Sequence, residues 1–285
     1  MKPYTKVSEQ RQPTLSKAGS LSADPERRHE NAYPGKTENT EASRLTLRVL
    51  FQPFYCLSGL SVCGFEAKMR WQNALLEPIV PTSHLAMAEE SGRIKPVCWT
   101  IAQKALEALQ TLKNEAPSPQ TSDVFMAVPL SGRQFFDPQF PNRIEALLNE
   151  HEAEINSLAL FFEHDIVMAD PGFSLGRLLR LKQAGVRLGL TGIGPDAWPS
   201  SILESLPMDI LTIEQDVFNT SESGFEWLEN AIQLADNLLM NVAIRGVTSQ
   251  RQQEILGSMG CTYGQGTYFS EPLVLSRAQA LLTQD

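Results

Sequence analysis

Long hydrophobic runs are what this sequence most clearly lacks. No stretch approaches the ~18 uninterrupted apolar residues of a membrane-spanning helix, so an integral membrane protein is excluded and no membrane span is expected. The first residues show no basic-then-apolar leader pattern. Cysteine is scarce: Cys56, Cys63, Cys98 and Cys261 include no C-x-x-C pair and are too sparse for a disulfide scaffold. They read as reduced, mostly buried thiols of a cytoplasmic protein. His84, His151 and His164 have no second His or Cys at metal-ligand spacing, which points to surface or capping roles rather than zinc. Gly192-Ile193-Gly194 lacks the rest of a dinucleotide fingerprint.

What the chain does have is size and an uneven charge. Its 285 residues are 42% hydrophobic, enough for a sizeable core in one large barrel or two modest domains. Residues 1–44 hold 8 Lys/Arg against 6 Asp/Glu, whereas the remainder holds 16 against 27. A globular part that acidic argues against nucleic acid as a partner, although it leaves room for one small basic pocket. Residues 1–44 also contain Pro3, Pro13, Pro25 and Pro34, few apolar residues and no helical or strand period. They read as a disordered N-terminal tail with too little to bury against the entropy of ordering. The functional alternative is a tether or a peptide that folds on a partner.

From Arg44 the pattern changes. Leu45 to Cys56 and Ser61 to Trp71 are strand-like runs joined by a turn-like tetrad around Gly59. Thr82 or Ser83 caps a helix ending near Gly92, and a second helix follows Pro96, with Val97, Ile101, Ala105 and Leu109 on one face. Val124 to Leu130, Leu158 to Phe162, Val186 to Thr191, Asp209 to Ile213 and Asn241 to Gly246 read as short buried strands. Helices lie between most of them. In the clearest, Ser221 to Met240, the residues Phe225, Leu228, Ile232, Ala235 and Leu239 form one apolar face. A last strand near Tyr263 and a helix after Ser276 close the chain. Repeated strand–helix units over about 240 residues give an α/β fold of the length of a closed (β/α) barrel. Periodicity alone also allows a doubly wound open sheet.

The segment Gly64-Phe65-Glu66-Ala67-Lys68-Met69-Arg70-Trp71 resembles the strand that names the EAL family of cyclic di-GMP phosphodiesterases, Glu-Ala-Leu followed by Arg-Trp. Further matches follow in the family's order: Gln52-Pro53, Ala88-Glu89-Glu90-Ser91-Gly92, Pro171, Gly185, Leu206-Pro207-Met208-Asp209, Gly246-Val247, Gly260-Cys261, Gln265-Gly266 and Pro272. The resemblance covers residues 45–285 and implies an EAL-type (β/α)8 TIM-like barrel whose first strand runs antiparallel to the rest. It also implies the family's chemistry, hydrolysis of a phosphodiester by two metal ions on strand-end carboxylates. Here the sequence departs from the pattern. Glu66 and Gln265 match the family's catalytic set. Pro129 falls at the family's Asn, Phe161 and His164 at two Glu, Thr191 and Gly192 at an Asp pair, and Thr212 at the Lys. Arg245 and Thr248 fall at two more Glu. One carboxylate cannot hold two divalent cations, so no metal, no cofactor and no hydrolysis are expected.

The replacements move the site toward positive charge. Alternate strand residues share a face, so Glu66, Lys68 and Arg70 point together, and Arg245 adds a cation. Gln52, Glu66, Lys68, Arg70, Arg245 and Gln265 therefore form the candidate ligand pocket, since a guanidinium binds phosphate without a metal. The structural alternative is that Lys68 and Arg245 simply pair with Glu66. Trp198 and Trp227 read as core or helix-face residues, with Trp198 also near the mouth. Three functions remain open: an inactive EAL-like signalling regulator working through a protein partner, a metal-independent cyclic di-GMP receptor, and a residual phosphodiesterase.

Overall fold

The structure, a computed structural model, describes residues 46–72, 78–79, 94–115, 123–195, 203–217 and 222–283. The tail assigned to residues 1–44, the helix after Thr82 or Ser83, and Trp198 lie outside the described residues.

Strands β1 (Thr46–Cys56) and β2 (Ser61–Gln72) form a hairpin, and the two-residue β3 (Pro78–Ile79) pairs with the end of β2. Next come α1 (Ile94–Glu115), β4 (Phe125–Pro129), α2 (Gly132–Phe135), α3 (Phe140–Glu150) and β5 (Leu158–Glu163). They are followed by α4 (His164–Met168), α5 (Pro171–Gln183), β6 (Arg187–Thr191) and β7 (Ile210–Glu214). The described chain ends with α6 (Glu222–Asn237), β8 (Asn241–Arg245), α7 (Gln250–Ser258), β9 (Tyr263–Gln265) and α8 (Leu275–Leu282). β2 and β4 through β9 lie side by side and parallel. β1 closes the ring by pairing antiparallel with both β2 and β9. This is an eight-strand closed barrel with its first strand reversed, as the resemblance implied.

Strand parity explains the two cores. Met126, Val128, Leu158, Leu160, Phe162, Val242 and Ile244 face outward and pack in the shell shared with the helices. Their alternates Phe125, Ala127, Ala159, Phe161 and Ala243 join Phe54 and Ile210 in a separate lumen cluster. Phe54 stacks on Phe125 at 5.7 Å between centroids and meets Phe161 edge-on at 6.1 Å.

Two helix expectations need correction. The helix expected after Pro96 begins at Ile94, because a proline in the first turn forfeits no helical hydrogen bond. The helix expected to reach Met240 ends at Asn237, and only the middle of its expected stripe, Leu228, Ile232 and Ala235, is buried. Phe225 is partly exposed, while Leu239 lies past the end, 91% exposed with φ +58°. The reason is a left-handed stop: Met240 N–H donates to the Ala235 carbonyl and Leu239 N–H to that of Asp236.

Cys63 sits at a bulge in the β1–β2 ladder and donates from Sγ to the Phe54 carbonyl at 3.3 Å. Burial, with Cys56 nearby adding to it, pushes this thiol up to about 12. Cys56, Cys63 and Cys261 are free. Among the described residues no helix is long and apolar enough to cross a membrane.

Candidate functional site

The chemistry-bearing side chains gather where the parallel strands end. Glu214, Arg245 and Gln265 stand level on β7, β8 and β9. Glu66 on β2 is level with Gln52 on β1. All lie on the inward parity, and Glu66 is only 4% exposed. Arg245 crosses the lumen to reach it, its Nη2 donating to Glu66 Oε1 at 3.0 Å. The guanidinium lies over the Phe161 ring, with Cζ 5.4 Å from the centroid. Lys68 Nζ stands 3.5 Å from Glu66 Oε2, and Arg245 Nη1 stands 3.6 Å from Glu214 Oε1. Each oxygen of Glu66 thus faces a cation of the protein itself.

Five of the six candidate pocket residues come together. Gln265 Nε2 donates to the Gln52 carbonyl at 3.4 Å, and Gln52 Nε2 donates to the Ser270 carbonyl at 3.3 Å. The Gln265 amide ties β9 to β1, and the Gln52 amide ties β1 to the segment that follows β9. Arg70 shares the parity of Glu66 and Lys68, but its Nη1 donates to the Met69 carbonyl at 3.0 Å. Its guanidinium is drawn back to its own strand rather than to Glu66.

The residues that the resemblance set at the family's other catalytic positions each have a local setting. Phe161 is buried in the lumen against Gly189, where a Cβ would lie 2.1 Å from Phe161 Cδ1. Thr191 and Thr212 are buried, and Thr212 Oγ1 has no hydrogen-bond partner. Gly192 takes φ +74°, and a Cβ there would lie 3.3 Å from Glu163 Oε2. The carboxylate of Glu163 therefore leans toward the space that a side chain at 192 would use. Pro129 ends β4 exposed. His164 Nδ1 pairs with Asp165 Oδ1 at 3.0 Å. Thr248 donates through both N–H and Oγ1 to Gln252 Oε1 at the start of α7. Among the described residues no three His, Cys, Asp or Glu side chains cluster closely enough to hold a metal ion.

Glu214 is the site residue that the sequence argument did not assign. The signal was present, since Glu214 lies two residues beyond Thr212 and so shares its inward parity.

A closed α/β barrel with one reversed strand and a charged cluster at its strand ends defines the class. The EAL domain family model matches residues 38–272, and the chain belongs to that family. Among curated relatives, an uncharacterized Synechocystis protein, sll1895, is 26% identical over 238 residues, 82% of this chain but 34% of its own length. The uncharacterized Rv1357c of Mycobacterium tuberculosis is 24% identical over 232 residues, 79% of this chain and 75% of its own length. This chain thus spans about a third of the first relative and three quarters of the second. Among solved structures, the PaMucR phosphodiesterase in complex with c-di-GMP superposes with a TM-score of 0.76 at 24% identity, covering 81% of this chain and 94% of that one. The FimX EAL domain of Pseudomonas aeruginosa bound to c-di-GMP gives 0.71 at 20% identity, covering 82% and 92%.

Proposed function

We propose that this chain is a non-hydrolysing EAL domain, a regulator in cyclic di-GMP-linked signalling that acts through a protein partner. The observation that carries the reading is the ion pair of Arg245 and Glu66 over the Phe161 ring. In the family pattern Glu66 serves a metal; here it is held by Arg245 and Lys68. The residues do not fit a two-metal centre. Phe161 and Gly192 bring no donor to a hard cation, Arg245 repels one, and the carboxylates Glu66 and Glu214 are engaged with Arg245.

The test is direct. Cyclic di-GMP incubated with the full chain and Mg²⁺ or Mn²⁺ should remain intact, and Thr191→Asp should not start turnover, because a two-metal site works as a unit. Turnover that Glu66→Ala abolishes would overturn the reading. Affinity capture from the native cell, with and without residues 1–44, then seeks the partner.

A second reading, a metal-independent cyclic di-GMP receptor, is favoured by the two cations at the barrel mouth, Lys68 and Arg245. PaMucR and FimX are both named in complex with c-di-GMP. Calorimetry in chelator separates the two readings, and binding should weaken with salt.

A further inference from the structure

The two edges of the Arg245 guanidinium are held unequally. Nη2 donates to Glu66, whose side chain is 5% exposed, at hydrogen-bond distance. Nη1 stands 3.6 Å from Glu214, beyond a hydrogen bond, and the Glu214 side chain is 50% exposed. One carboxylate is built into the barrel floor. The other leans in from the rim on a side chain free to swing toward water.

We propose that Glu214 is a built-in competitor, an acidic side chain that occupies the outer edge of Arg245 until the phosphate group of a ligand displaces it. The proposal rests on the receptor reading and adds a regulatory contact to it. The charge count within the ion-pair cluster supports it: Glu66 and Glu214 cancel Lys68 and Arg245, so the cluster offers an approaching anion no net attraction. Once Glu214 swings out, the remaining three groups carry one net positive charge, and Nη1 is open to a phosphate oxygen. Glu66 does not play this part, because it is buried under the guanidinium and its removal would leave a cation without a counter-charge. Register supports it as well. Glu214 is level with Arg245 on the neighbouring strand, so each is within reach of the other in a relaxed backbone. Among the described residues no other carboxylate stands within ion-pair distance of the outer edge of this guanidinium.

The test compares the full chain with Glu214→Gln, a change of charge at nearly constant shape. Isothermal titration in chelator at low salt uses two probes, cyclic di-GMP and inorganic pyrophosphate. Glu214→Gln should bind about three- to tenfold more tightly, the scale of a partly exposed ion pair plus relief of like-charge repulsion. The gain should shrink as ionic strength rises. It should vanish in Glu214→Gln/Arg245→Gln. Equal or weaker binding of both probes by Glu214→Gln overturns the proposal, as does the absence of binding of both probes by both proteins. If cyclic di-GMP binds neither protein but pyrophosphate binds Glu214→Gln more tightly, the receptor reading fails while the competitor role of Glu214 stands.

Discussion

Phe161 and Gly189 form a knob and a hole on adjacent strands. The Phe161 ring covers the place where any side chain at 189 would begin, 2.1 Å from a Cβ. Gly189→Ala is therefore expected to lower the unfolding free energy by about 1–3 kcal/mol, the cost of overpacking a dense core. Gly189→Ala/Phe161→Leu should recover much of it in denaturant titrations. A Gly189→Ala chain as stable as the parent would show that the ring has another place to go. Cys63 makes a different demand. Its thiol is pushed from 9.0 up to about 12, first by burial, so the folded state holds this proton more tightly than the unfolded chain does. The contribution is complete below pH 9 and is lost as pH rises toward 12. Cys261 follows the same course for the same first cause. Unfolding midpoints should accordingly fall across that window, and less steeply in Cys63→Ala. The Arg245–Glu66 contact was legible in the sequence because parity sends both side chains into one lumen. The retreat of Arg70 to the Met69 carbonyl was not, because a long side chain chooses among nearby acceptors that periodicity does not encode.

Four helices end on one design. After α3, α5, α6 and α7 a left-handed residue follows, at Glu152, Gly185, Leu239 and Gly260 respectively. In each case that residue's N–H donates three residues back, while the next N–H reaches five back. Two of the four use glycine, which accepts this conformation without a Cβ penalty. Leu239 does not, and at 91% exposure its side chain gains little burial in return. Leu239→Gly should raise stability by about 0.5–1 kcal/mol, visible as a higher melting temperature; a lower one would mean that the side chain makes a contact worth more than the strain. The same feature shows where sequence reading stopped short. Glycine suits the left-handed residue at 185 and 260, although both entered the sequence reading only as family anchors, whereas an apolar Leu239 continued the stripe on paper and hid a helix end. Apart from the two-residue β3, which the sequence did not show, strands were read to within a residue or two, since short apolar runs buried on both sides leave little choice of position.

For the molecule as a whole, we propose that residues from Arg44 onward fold without those before them, although the family match begins a little earlier, at residue 38. A chain beginning at Arg44 should then unfold in a single transition at nearly the same midpoint as the full chain. A large drop would show that the preceding residues pack as part of the fold. The barrel itself was legible from alternating strands and helices, and its closure from the ordered family anchors; the second contact of Arg245, with Glu214, was not, because which strand ends stand level is not written in either strand's own period. Closure also has a consequence for how the chain is made. β1 emerges first, yet one of its edges is completed only by Tyr55 against Gly264 and Cys56 against Tyr263, with Phe51 bridging to Leu273. At about 5–20 residues per second, a ribosome needs roughly 10–40 s to supply that partner. Throughout that interval the hairpin carries an unpaired strand edge, which makes the unfinished chain, rather than the finished barrel, the form most exposed to aggregation.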